Sequence, residues 1–310
     1  IVMTHQADDN NQVIKVLNGL TNLWNSRAKV LEGDPSVDIV FDPDKDDFKE
    51  ELLPFHQHSA WLNANDELKR TVLSYGWIIY NEKTIQIESK LIAPVCDLII
   101  DSEYPGSRSD AIQNSISQAL VDEGFHTLMA VKSINIVYRE RGIKRVKLPK
   151  FQLIRQLDKM LLDCQNDEER KLVRLAVACA SETLITDYLG VLSKDDRLQP
   201  LCYKTVEAHA ADEWSHSSVF SYTMAEIYQE LSPQHRELYI NTLPKAVQAF
   251  GDDELDVWEA VLSAIDFPNY QQIIKDCRIE QEQAINVDVQ GISKLLSSLG
   301  IDQDNVKLVA

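Results

Sequence analysis

Two pentapeptides of one form, Asp122-Glu123-Gly124-Phe125-His126 and Asp212-Glu213-Trp214-Ser215-His216, constrain this chain more than any other feature. Each is an Asp-Glu-x-x-His box. On an α-helix, residues three apart project from the same face, so each box aims one carboxylate and one imidazole at a single point. Two such helices facing each other, with one Glu from each of two further helices, make an inward-pointing dimetal site in a four-helix bundle. The rest of the sequence has to supply those two helices.

Only ten Gly and ten Pro interrupt 310 residues, and the stretches between them carry apolar residues at helical spacing. The spacing predicts a first helix from about Asn11 to Val30, followed by an acidic, Pro-containing segment from Gly33 to Glu51 expected as an exposed loop. A long helix is expected from Asn65 to about Ile100, ended by Pro105-Gly106. The next runs from a cap at Ser107 or Ser109 to about Arg141, with Gly142 as its stop. A short helix near Gln152 to Cys164 leads to longer ones over Asp167–Leu192 and from Pro200 to Leu231. Ser232-Pro233 marks both an end and a new start, and shorter helices broken near Gly251, Pro268 and Gly300 complete the chain. The expected fold class is therefore all-α: a ferritin-like four-helix bundle with additional N- and C-terminal helices. One domain is expected over 1–310, with the bundle core at 65–231 and flanking helices at 1–64 and 232–310.

Composition narrows the partners. The balance of 31 basic against 49 acidic residues, net charge -18, repels phosphate backbones and anionic lipid surfaces, so nucleic acid is not expected. No apolar run approaches the ~20 residues of a membrane span. No basic-then-apolar secretory signal is recognised at the N-terminus. Five scattered cysteines without C-x-x-C spacing suggest neither a disulfide framework nor a zinc knuckle, and a reducing cytoplasm fits them.

Each long helix carries a candidate ligand on its apolar stripe. Glu88 has Thr84, Ile85, Leu91, Ile92 and Val95 as same-face neighbours, and Glu182 has Leu175, Ala178, Cys179, Ile185 and Leu189. Glu123 lies among Ile116, Ala119, Leu120 and Ala130, and Glu213 shares its stripe with Val206, His209, His216 and Phe220. A lone carboxylate on such a stripe costs several kcal/mol unless paired or metal-bound. For Glu88 an interhelical salt bridge is the alternative, since Glu82 shares its helix. His209, Glu213 and His216 follow i, i+4, i+7 spacing, so His209 is either a seventh ligand or a satisfied core histidine. Oxygen and imidazole donors without thiolate suit iron or manganese. Metal-bound imidazoles usually donate their other N–H to a carboxylate, so Asp122 and Asp212 are expected to orient the His of the opposite box. Tyr188, six residues beyond Glu182, is a candidate for the cavity above the metals. His5, His56, His58 and His235 fall in expected loops or helix ends and read as solvated.

With this ligand set assembled, the chain resembles the p-aminobenzoate N-oxygenase family of di-iron arylamine oxygenases, over about Leu68 to Tyr228. Glu88 falls where that family places its first-helix Glu, Glu123 and His126 match its first Glu-x-x-His, and Glu182 its lone third-helix Glu. The run His209-x-x-x-Glu213-x-x-His216 matches the family's distinctive H-x-x-x-E-x-x-H, which makes His209 the additional ligand. The resemblance implies a homodimeric enzyme holding two irons, drawing on an external electron donor or reductase, activating O2 as a peroxo species and N-oxygenating a small amine in specialised-metabolite biosynthesis. It carries over no substrate-binding residue and no general-base triad. The competing readings are another O2-dependent di-iron reaction, such as C–H hydroxylation, desaturation or oxidative cleavage, and a non-enzymatic ferritin-like iron-binding protein.

Overall fold

The computed structural model describes residues 4–284, 290–302 and 306, with side chains from Gln12 onward. Helices α1 (Thr4–Arg27), α2 (Lys29–Glu32) and α3 (Ser59–Leu62) precede α4 (Asp66–Ile87), which continues through a π turn (Glu88–Ile92) into α5 (Ala93–Ile100). Then follow α6 (Asp110–Arg141), α7 (Gln152–Asp163), α8 (Asp167–Gly190), α9 (Pro200–Glu230) and α10 (Pro233–Phe250). Shorter helices α11 (Leu255–Ala264), α12 (Tyr270–Gln283) and α13 (Ser293–Ser298) end the described chain. The fold is an all-α ferritin-like bundle, and no strand occurs among the described residues. Nor, among them, is any helix long and apolar enough to cross a membrane.

The bundle closes as a ring. α4 and α5 pack on α6, α6 on α9, α9 on α8, and α8 returns to α5 and the π turn. Outside this ring α10 covers α8, and α1 lies across α6 and α9. Side-chain caps fix where the helices begin. Asn65 accepts from Leu68 N–H at 2.8 Å, Ser109 from Ile112 N–H at 3.2 Å and Asn166 from Glu169 N–H at 2.8 Å, each satisfying an otherwise orphaned amide. Gly142 ends α6 in the left-handed region at φ 64°, where glycine meets no Cβ penalty.

Two expectations need correction. The segment Gly33–Glu51 is not wholly an exposed loop, because Asp47 and Phe48 are buried. The Arg141 guanidinium donates from Nε and Nη2 to the two Asp47 oxygens, both at 2.9 Å, and Ser74 donates to Asp47 at 2.6 Å, so the carboxylate is paired where it is dry. Phe48 enters the notch at Gly76, where a Cβ would stand 2.6 Å from its ring. The span Asn65–Ile100 is also not a uniform α-helix. Pro94 removes an N–H and its ring would crowd the carbonyl of Lys90, and the backbone widens just there, with Ala93 N–H bonding to Glu88 O five residues back.

Candidate metal centre

The four walls of the ring each contribute to one buried cluster. Glu88 comes from the junction of α4 and the π turn, Glu123 and His126 from α6, Glu182 from α8, and His209, Glu213 and His216 from α9. All seven are at most 5% exposed. Donor atoms from Glu88, His126, His209 and Glu213 lie within 4.8 Å of one another, as do those from Glu123, His126, Glu213 and His216, and those from Glu88, Glu123 and Glu182. The first two groups share His126 and Glu213, and the third takes Glu88 from the first and Glu123 from the second, so the three form adjoining pockets.

Ring orientation separates an inner from an outer nitrogen. His126 Nε2 lies 3.1 Å from Asp212 Oδ2, and its Nδ1 faces Glu213 Oε1 at 3.2 Å and Glu123 Oε2 at 3.6 Å. His216 Nε2 lies 3.0 Å from Asp122 Oδ2, and its Nδ1 faces Glu123 Oε1 at 2.9 Å and Glu213 Oε1 at 3.2 Å. Each Asp therefore sits behind the His of the opposite box. A carboxylate accepts only, so it assigns the proton to Nε2 and leaves the Nδ1 lone pair inward. His209 points Nε2 at Glu88 Oε1, 3.2 Å away, and at Glu213 Oε1, 3.1 Å away.

The inward atoms are the test of whether a cation fits. Both oxygens of Glu88 and of Glu123, one oxygen each of Glu182 and Glu213, and Nδ1 of His126 and of His216 are buried without a directed hydrogen-bond partner. Acceptors gathered face to face in the dry are costly unless a cation sits among them. The donor set of carboxylate oxygen and imidazole nitrogen suits divalent iron or manganese.

The same crowding perturbs protonation in the metal-free chain. Burial lowers the basicity of His126 and His216, yet Asp212 and Glu123 beside the first, and Glu213 and Glu123 beside the second, raise both well above the ordinary imidazole range. Burial drives the Glu182 carboxyl well up, with the negative Glu213 and Glu123 adding to it. Burial also opposes ionisation of Glu213, but His216, His126 and His209 overcome it and hold that carboxyl well below its usual range. His209 is shifted down by burial and by the neighbouring His126, whose ring centroid lies 3.9 Å away.

The outermost contacts come from a part of the chain that carries no motif. Trp24 on α1 donates its indole N–H to both Asp122 oxygens at 2.9 Å, and the backbone N–H of Lys29, opening α2, donates to Asp212 Oδ1 at 3.1 Å. The break at Ala28, extended at φ -60°, ψ 130°, is what frees that amide. No sequence signal marks these partners. Tyr188 stacks on Tyr80 and lines a different cavity, to which none of the seven contributes. His58 is half-buried and pairs with Asp276 at 3.1 Å, so the solvated reading fails for it, and His5 lies outside the described side chains.

The sequence matches the family model described as p-aminobenzoate N-oxygenase AurF over residues 10–300. It is 31% identical over 290 residues to 4-aminobenzoate N-oxygenase from Streptomyces thioluteus, covering 92% of this chain and 86% of that relative. Matched over nearly its whole length, the chain belongs to the p-aminobenzoate N-oxygenase family.

Proposed function

We propose that this chain is a non-haem di-iron oxygenase that uses O2 to oxidise the nitrogen of a small amine to the hydroxylamine, with nitroso and nitro products open to the same site. The observation that carries this is the convergence of seven buried donors, six of them with inward atoms that lack a directed hydrogen-bond partner. Glu88, Glu123, Glu182 and Glu213 bring four formal negative charges, which two divalent ions would balance. Nδ1 of His126 and of His216 and Nε2 of His209 are the nitrogen donors. Asp212 and Asp122 hold the outer imidazole protons, and Trp24 and the Lys29 amide hold those carboxylates in turn.

Iron bound here would supply the redox chemistry and open coordination positions for O2 activation, and the same donor set would also accept manganese. The protein's own part is geometry and exclusion of water: the substrate nitrogen is the attacked centre and needs no side-chain base. The reaction draws on an external electron donor, and the working form is a homodimer in a reducing cytoplasm, a setting in keeping with five free, buried cysteines. Residues 1–310 form one domain, with 65–231 as its catalytic core.

Anaerobic loading with ferrous iron, followed by 18O2 and candidate amines, tests this reading by mass spectrometry. Label on nitrogen with loss of primary-amine reactivity is expected. Label on carbon, or an unsaturated product, would assign the site to hydroxylation or desaturation. Uptake of many irons per chain without amine consumption would assign it to storage.

A further inference from the structure

The face of α6 turned away from Glu123 and His126 carries an apolar seam. Val121, Leu128 and Val131 are 48%, 44% and 39% exposed, and Gly124 is exposed between them. The other exposed residues of α6 between Asp110 and Arg139 are Asn114, Lys132 and Asn135. None of these is acidic, in a chain with 49 Asp and Glu among 310 residues.

The spacing is a heptad. Asn114, Val121, Leu128 and Asn135 follow one another at seven-residue steps, and Ser117, Gly124 and Val131 repeat the step three places on. That is the a/d pattern of a helix that packs lengthwise on another helix, yet no element among the described residues covers it. Gly124 sharpens the point. Glycine inside a helix is less stable than alanine, and a Cβ here would meet nothing within 4 Å. Nothing within the folded chain needs the missing side chain, whereas a side chain arriving from outside would use the notch. From Asn114 to Asn135 the seam runs about 32 Å and, at a helix width of about 10 Å, covers roughly 320 Å². A standard interface takes ~800 Å² from each partner, and the flanks can add to it. α2 and the 3-10 turn Pro35–Asp38 both pack on α6, Lys132 pairs with Asp34 at 2.9 Å, and Leu31 and Val37 are 56% and 73% exposed.

We propose that this seam docks a second copy of the chain, the two α6 helices lying antiparallel about a two-fold axis behind His126. The proposal rests on the homodimer stated above and locates its interface. Leu128 of each copy fills the notch at the partner's Gly124, Val121 lies level with the partner's Val131, and Ser117 lies level with the partner's Asn135. Apolar layers thus meet apolar layers and polar ends meet polar ends, the self-complementarity a two-fold contact demands. Two copies at net charge -18 repel each other, so a stripe without carboxylates is where they approach at least cost.

Sedimentation velocity on the iron-reconstituted protein at micromolar concentration tests the face, with wild type beside Leu128→Glu and Val131→Lys. The wild type is expected as a dimer and both variants as monomers; helical circular dichroism and iron content, retained because both positions are exposed, report that each variant folds. Oxidative cross-linking reads the register, and the native cysteines, all buried, give it a low background. A double variant, Val121→Cys with Val131→Cys, should link into covalent dimers. Val121→Cys alone should not, because the two copies of that position stand ten residues, about 15 Å, apart along the seam. A monomeric wild type overturns the inference and the homodimer together, and leaves the amine chemistry to the oxygen-label experiment. A dimeric wild type whose charged variants stay dimeric, or Val121→Cys linking as fully by itself, overturns the inference alone, since the interface then lies on another face or in another register.

Discussion

Replacing Asp122 by Asn probes the outer side of the metal centre, and the hydrogen-bond geometry dictates more than a simple loss. Asp122 accepts from two donors at once, the Trp24 indole at 2.9 Å and His216 Nε2 at 3.0 Å. Asn offers one acceptor and one NH2 group. With its oxygen toward His216, the NH2 confronts the indole N–H. With its oxygen toward Trp24, the NH2 confronts Nε2 and favours the tautomer protonated on Nδ1, the atom that has to be bare for a metal. Because the indole lies 2.9 Å from both oxygen positions, the first orientation keeps both acceptor contacts but adds a donor–donor repulsion, and the second loses the His216 contact outright. Loss of such an outer partner typically weakens metal binding 10- to 100-fold, about 1.4 to 2.7 kcal/mol. The geometry further requires that Trp24→Phe, by removing the opposing donor, lets Asn turn its oxygen to His216. The double variant should therefore bind metal more tightly than Asp122→Asn alone, a coupling readable as a double-mutant cycle. Anaerobic chelator competition with ferrous iron gives the constants. Wild-type affinity in Asp122→Asn, or a double variant weaker than the two single losses combined, would refute the assigned His216 orientation.

Removing the guanidinium in Arg141→Ala leaves Asp47 buried and unpaired but for Ser74, and should destabilise the fold by about 3 to 5 kcal/mol in urea unfolding. Gly76→Ala would push a Cβ to 2.6 Å from the Phe48 ring, and the overpacking, about 1 to 3 kcal/mol, should outweigh the helical gain of up to about 1 kcal/mol, giving a lower urea midpoint. The metal-free protein should lose stability as pH rises. The raised His126 and His216 values contribute stability that is full below the unfolded value of about 6.5 and is lost as pH climbs through the folded values. Glu182, also raised, adds a penalty of the same sign once pH exceeds its unfolded value. Metal displaces those protons, so loading should release protons and strengthen with pH, which calorimetry in buffers of different ionisation enthalpy measures. A metal-free melting temperature that climbs between pH 6.5 and 8.5 would contradict these directions.

What the sequence carried, it carried through local periodicity. Three-residue spacing inside each box, apolar stripes around Glu88 and Glu182, and Asn, Ser and Gly at helix ends are all short-range signals, and each surfaces in the structure as a face, a stripe or a cap. The pairing of Asp122 with His216 and Asp212 with His126 also follows, because two identical boxes on facing helices exchange partners. What was hidden spans long separations. Trp24 to Asp122 crosses 98 residues, Lys29 to Asp212 crosses 183, and Arg141 to Asp47 crosses 94, so nothing in the local pattern joins them. The π turn at Glu88 did have a local signal, Pro94 within an otherwise helical stretch, because the proline six residues on disrupts the α-helical bonding of the turn that begins at Glu88.

The most direct measurement is the iron content of anaerobically reconstituted protein, wild type beside Glu123→Ala and His216→Ala. A centre built by seven side chains predicts saturation near two irons per chain in the wild type and marked loss in both variants. Full iron content in either variant, or saturation far from two, would contradict it.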